Sequence, residues 1–449
     1  MHIPPRLKIL AGLSLPMAVT LVIQNLMSVL TTAMVGRLGD AALAGVGVAS
    51  AIFSILLALL LGLDAAVQAI VARRTGSGDR AGAGAALALG LGVCGAVGAV
   101  LTVVALLGVP AVLPLAIRDP AAAAAGGAFI KGFSPILLVL GLNVTFSAYW
   151  NGIGAPRYAL AVTVIQTPLH ALLSWALTFG GLGLPALGTF GAGLGATLAA
   201  IVGLGLHLIL ALKVAPVEGL LGGRSRRGDL GLLLRIGLPI SLQQSLLYVS
   251  LALSFAVVAR IGTSAAAAAN AMNTLALVAV LAATGVGTAT ATLVGEALGR
   301  GEIRDARRWG WESAGCGTLV LAPLSLALIV APKAALGLFI ANPATVDLAA
   351  EPMRILALSM SFDTFGRILT YGLRGAGSTT APSAVSFAFQ WFVQLPLSWW
   401  VGVTLGLGLT GVMGVLLARS AAEAAVMALL WRGRAWTTVR IATAAAPAA

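Results

Sequence analysis

The sequence predicts an all-α polytopic membrane protein: twelve transmembrane helices in two parallel six-helix bundles, related by a pseudo-two-fold axis along the membrane normal. Three observations predict it. Hydrophobic residues make up 59% of the chain and charged residues only 9%, with a mean hydropathy of +1.02, whereas soluble domains carry charge on roughly a quarter of their residues. Apolar runs of about twenty residues, the length that crosses a bilayer as a helix, recur from end to end. The sequence also repeats its punctuation at one constant offset, the one that carries Pro16 to Pro239.

Breaking the apolar runs at charge, proline and glycine gives six spans near 10–36, 43–70, 84–107, 128–150, 158–180 and 189–213, then six more near 235–259, 266–295, 311–331, 353–373, 382–405 and 408–431. The first run follows Arg6 and Lys8 and has no small-residue cleavage site after it, so it reads as a retained helix. The constant offset sets Pro16 on Pro239, Arg37 on Arg260, Gly62 on Gly285, Gly78 on Gly301, Gly154 on Gly377 and Gly191 on Gly414. Twice that offset nearly exhausts the chain, which predicts a duplicated architecture with halves at 1–223 and 224–449. The polar stretch 215–232, with Pro216, Gly222, Gly223 and Arg224, reads as the linker.

Net charge is +13, but the basic residues lie in short loops between spans, where they orient the protein in the bilayer rather than bind nucleic acid. Arg73, Arg74, Arg80, Arg224, Arg226, Arg227, Arg300, Arg304, Arg307, Arg308, Arg432 and Arg434 fall on one side. The opposite loops keep scattered charges such as Arg37, Arg118, Arg260 and Lys333. Both termini are therefore expected in the cytoplasm and the chain in the inner membrane. Six spans precede the repeat, an even number, so the halves share one orientation. Cys94 and Cys316 sit in separate apolar spans and read as small buried residues, with no metal cluster.

Several motifs recur at matching positions. Gly76-Ser77-Gly78-Asp79 and Gly299-Arg300-Gly301-Glu302 read as tight turns whose acid caps the next helix. The Lys-Ser/Thr of a phosphate loop is missing after them. Gly191-Ala192-Gly193-Leu194-Gly195 reads as a close helix-packing face rather than a dinucleotide fingerprint. In Met34-Val35-Gly36-Arg37-Leu38-Gly39, Ala42-Leu43-Ala44, Gly76-Ser77-Gly78-Asp79 and Leu373-Arg374-Gly375-Ala376-Gly377, and in its duplicated plan, the sequence resembles the multidrug and toxic compound extrusion (MATE) family over essentially its whole length. The resemblance implies a secondary active antiporter that exports small, cationic organic compounds or drugs in exchange for protons or sodium. It also implies alternating access, membrane lipid as the surroundings, no cofactor, and one chain as the working unit.

Charge inside a span is costly, about 2.5–3.5 kcal/mol on insertion scales, and tends to be kept for function. Four places qualify: Asp64 in span two, His170 in span five, Asp363 with Arg367 in span ten, and Arg419 with Glu423 in span twelve. Asp363 stands ten residues before Leu373-Arg374-Gly375, where the resemblance implies a coupling carboxylate able to take a proton or sodium. Arg367, four residues on, faces the same side and is the competing structural partner. Asp64 and His170 are the secondary coupling candidates, His170 as a proton carrier. Arg419 and Glu423 read as a mutually neutralising pair.

The sequence departs from the family where an acid is expected in spans one and seven: Thr31 and Leu247 stand there, and His170 and Ser174 replace a polar pair in span five. Gln24, Asn25, Thr31, Asn143, Gln166 and Tyr248 are the remaining cavity candidates. Phe146, Tyr149, Trp150 and Phe365 are candidates for an aromatic pocket. Trp399 and Trp400 read as an interfacial belt. Pro16 and Pro239, at matching depth, are expected to permit bends. A lipid or oligosaccharide flippase of the same superfamily is the nearest rival. A membrane-integral enzyme is disfavoured, because no metal-cluster or nucleophile-and-base motif is present.

Overall fold

The computed structural model describes residues 4–220 and 228–439. Arg224, Arg226 and Arg227 of the expected linker lie outside them. The helices in order are α1 (Pro5–Gly36), α2 (Asp40–Gly76), α3 (Arg80–Ala116), α4 (Pro120–Phe133), α5 (Ile136–Gly152), α6 (Arg157–Phe179) and α7 (Gly188–Ile209). They continue as α8 (Asp229–Ile261), α9 (Thr263–Gly299), α10 (Ile303–Val330), α11 (Pro332–Leu336), α12 (Pro343–Gly375), α13 (Thr380–Ala388), α14 (Leu395–Trp399) and α15 (Gly408–Arg432).

Among the described residues, nine helices are individually long and apolar enough to span a membrane, and α4 with α5 makes a tenth span bent by 48°. Pro135 at that joint has no N–H to continue the ladder, and Thr102 donates to the neighbouring Ser134 carbonyl at 3.2 Å. The remaining two spans are less uniformly apolar or less regular, for different reasons. α12 carries Asp347, Glu351, Arg354, Asp363, Arg367 and Arg374 along a mainly apolar helix. The span Thr380–Thr404 is interrupted by two π-helical segments, Phe389–Gln394 and Trp400–Thr404. With these two the count reaches the twelve that the hydropathy predicts.

The chain forms two compact units. Among the described residues, those of 19–245 form one, the amino unit; residues 4–18 join 246–439 in the other, the carboxyl unit. The units thus exchange helix ends relative to the halves 1–223 and 224–449. Leu10 and Met17 of α1 sit in a core cluster with Leu293, Trp309 and Leu369, and Leu233 and Ile236 of α8 sit in the core with Leu60, Val67 and Phe146. Two glycines at equivalent positions of the repeat, Gly62 and Gly285, show why α1 and α8 lie so close to their neighbours. Ser241 of α8 packs onto Gly62 and its Oγ donates to the Leu59 carbonyl at 2.6 Å, while Ala18 of α1 packs onto Gly285. A Cβ at either glycine would collide with backbone atoms.

Within the amino unit α2 packs on α3, α4 and α5, and α6 lies along α7. The glycines of α7 permit that approach: a Cβ at Gly195 would meet Ser174 of α6, and one at Gly193 the Phe129 carbonyl of α4. Within the carboxyl unit α12 is central, against α9, α10 and α15. Gly78 and Gly301 adopt positive φ in the two expected turns. Asp79 caps α3 by accepting from the Gly82 N–H at 2.9 Å. Glu302 departs from that expectation, because its carboxylate turns to Arg300 at 2.9 Å and leaves α10 without a side-chain cap.

Candidate functional site

In the carboxyl unit three elements bring four charges together. Asp363 and Arg367 are one turn apart on α12, and Arg419 and Glu423 one turn apart on α15, so each pair shares a helix face. Arg367 holds Asp363 through Nη2 at 2.7 Å and Nε at 3.2 Å, and Arg419 holds Glu423 at 2.7 Å. The helices pack so that Arg419 Nη2 also reaches the other Asp363 oxygen, at 3.5 Å. The two pairs expected separately are therefore one cluster.

Its third wall is the π-interrupted span. Ser386 donates to Glu423 at 2.7 Å, and Gln390 accepts from Arg419 Nη1 at 3.4 Å. Neither residue was identified from the sequence, where a lone serine and glutamine in an apolar run carry no signal. Asp363 and Arg367 are 28% and 29% exposed, Arg419 and Glu423 11% and 16%. The α12 pair is thus the more accessible side of the cluster. Two cations and two anions sum to zero, and that balance makes the group tolerable within membrane-spanning helices. Arg419 Nε is buried without a partner among the described residues. It adjoins a groove of about 510 Å³ lined by Phe389, Val393, Leu397, Val401 and Gly411.

The amino unit answers with neutral groups. Thr31 Oγ1 lies within hydrogen-bond distance of both the Met27 carbonyl, at 3.1 Å, and His170 Nε2, at 2.9 Å. Asn143 donates to the carbonyls of Val139 and Ala200 at 3.1 and 2.9 Å, while its buried Oδ1 has no partner among the described residues. That oxygen and Gln166 Oε1 both point into the space left by the absent side chain of Gly203. Asp64 is half-buried on α2, Asn25 half-buried and Gln24 exposed on α1. Tyr248, 36% exposed, belongs to the carboxyl unit.

Several expected roles change. Phe146 and Trp150 are wholly buried and Tyr149 nearly so. Trp150 donates to His207 Nδ1 at 3.2 Å and Phe146 stacks on the same ring at 5.4 Å, so these aromatics are interior packing and do not line an open pocket. Phe365 stays half-buried against Trp311 at 6.1 Å. Arg74, expected among the loop charges, is fully buried and paired with Asp229 at 2.6 Å. Pro16 and Pro239, by contrast, stand where a bend was expected, each inside a long helix, α1 and α8.

The MatE family model matches residues 16–176 and 239–400, one match in each half. A multidrug resistance protein NorM of Burkholderia vietnamiensis is 28% identical, over 96% of this chain and 94% of its own length. A probable multidrug resistance protein NorM of Bradyrhizobium diazoefficiens is 30% identical over 89% of this chain and 87% of its own. Among solved structures, a multidrug resistance MATE family transporter of the MOP superfamily, in an outward-facing conformation, superposes with a TM-score of 0.87 at 20% identity, over 95% of both chains.

Proposed function

Because the chain belongs to the MATE family of multi-pass membrane transporters and is not an enzyme, we propose that it is a drug-efflux antiporter. It exports small organic cations across the inner membrane in exchange for protons or sodium, by alternating access, with both termini in the cytoplasm and a single chain as the working unit.

The observation that carries this reading is the zero-sum cluster around Asp363. A proton, a sodium ion or an organic cation binding at Asp363 makes the cluster net positive, and a second cation is then repelled. Mutual exclusion at one carboxylate is what exchange requires: the cation that enters displaces the one that leaves. Arg367 and Arg419 set how readily the carboxylate is released, because any incoming cation competes with both guanidinium groups. In the amino unit Asp64 and the His170–Thr31 pair are the second coupling candidates, and the amide oxygens of Asn143 and Gln166 are acceptors for a donor on the cargo. Pro16 and Pro239 lie in the helices that pass between the units, where bending accommodates their motion.

The test is efflux of ethidium from reconstituted vesicles under an imposed proton or sodium gradient, for wild type and Asp363→Asn. Export by wild type under one gradient, lost in the variant, is expected and names the ion. Equal export by the variant would move coupling to Asp64 and His170. No movement of any cationic dye in wild type would replace drug export with the flippase reading.

A further inference from the structure

Among the described residues the chain passes between its two units within α1 and within α8. Each of these helices is held at its first turn by an ion pair, and the two anchors occupy equivalent positions of the repeat with opposite sign: Arg6 on α1 and Asp229 on α8.

The anchors differ in construction. Arg6 pairs with Asp305 at 2.5 Å and with Glu312 at 2.6 Å, both on α10, and its guanidinium lies 3.8 Å over the ring of Trp309. Its side chain is 27% exposed, and those of its partners 27% and 32%. Both partners have a second cation in place, Arg300 at 3.6 Å from Asp305 and Arg308 at 2.5 Å from Glu312. Arg6 itself keeps one buried nitrogen, Nη2, without an acceptor among the described residues. Departure of Arg6 therefore strands no carboxylate, and water reaches the vacated charges. Asp229, by contrast, meets Arg74 at 2.6 Å with the two side chains 3% and 0% exposed, and Arg74 is further tied to the Gly82 carbonyl at 2.9 Å. Separating that pair would leave a guanidinium in a site closed to water.

We propose that Arg6 is a releasable latch on α1 and that Arg74–Asp229 is a permanent pin on α8. During the cycle the first turns of α1 leave α10, and the stretch from Arg6 through Pro16 to Ala18 takes up the movement. The first turns of α8 stay seated against α2, and any bending of α8 falls beyond them, at or after Pro239. Arg6 is thus a positioning residue that acts through α1. The inference rests on alternating access, but its test requires no transport.

The experiment is hydrogen–deuterium exchange of the full chain in lipid nanodiscs without substrate, comparing backbone amides 9–15 with their repeat equivalents 232–238. In wild type the first segment is expected to exchange at least about tenfold faster than the second, and Arg6→Gln to speed 9–15 by about tenfold again while leaving 232–238 unchanged. Arg6→Lys should fall between the two. Raising salt on wild type should accelerate 9–15 alone, which answers the question even if the variants fold poorly. Equal exchange of the two segments in wild type, or no response of 9–15 to both Arg6→Gln and salt, overturns the latch. If vesicles move no dye while 9–15 still responds, the transport reading fails and the latch stands.

Discussion

At the repeat positions equivalent to Asp363, Arg367, Arg419 and Glu423 stand Leu140, Val144, Ala196 and Ala200. The charged cluster of the carboxyl unit is matched in the amino unit by aliphatic side chains, with Ala196 and Ala200 almost completely buried. The reverse also holds: Asp64, His170 and Asn143 are matched by Gly287, Val393 and Gly366. The helix-packing devices, by contrast, are kept in both units, as Gly62 with Ser241 and Gly285 with Ala18 demonstrate. Close helix approach depends on backbone geometry and survives duplication only if both copies keep it. An interior polar group is free to diverge once the other copy retains a working one. The two units therefore share a scaffold and divide the chemistry.

Making the carboxyl unit resemble the amino unit is the strongest test of that division. Arg419→Ala alone leaves Asp363 and Glu423 with one cation between them and should cost about 3–5 kcal/mol, read from detergent-solubilised unfolding. Arg419→Ala with Glu423→Ala restores charge balance and recreates the alanines of the amino unit, so it should recover most of that loss. A double variant no more stable than the single one breaks the comparison.

Transport separates the units next. Asp363→Asn should abolish gradient-driven efflux, and His170→Gln should lower it only in part. The opposite order would put the coupling group in the amino unit.

The shared scaffold predicts equal penalties. Gly62→Val and Gly285→Val should each destabilise by about 1–3 kcal/mol through overpacking, measured by thermal unfolding. A large difference between them would show that the two contacts are not equivalent. The smallest effect is expected at Thr31→Val, which removes the hydrogen-bond partner of His170 and should cost about 1 kcal/mol, isolated by a double-mutant cycle with His170→Gln.

Span number, repeat length, turn glycines and family were legible in the chain because each is local or periodic: hydropathy is summed along one segment, and a duplication preserves spacing. The i,i+4 pairs Asp363–Arg367 and Arg419–Glu423 were legible for the same reason, since helical geometry alone sets their separation. That the two pairs fuse, with Ser386 and Gln390 completing them, depends on the rotation and depth of α12, α13 and α15, which no single helix encodes. Arg74 illustrates the limit: by position it is one of several arginines near a turn, and only the seating of α8 against α2 turns it into the buried partner of Asp229. The exchange of helix ends between units is of the same kind. Hydrophobicity makes α1 and α8 membrane helices whichever unit they join, whereas the core they enter depends on contacts between residues far apart in the sequence.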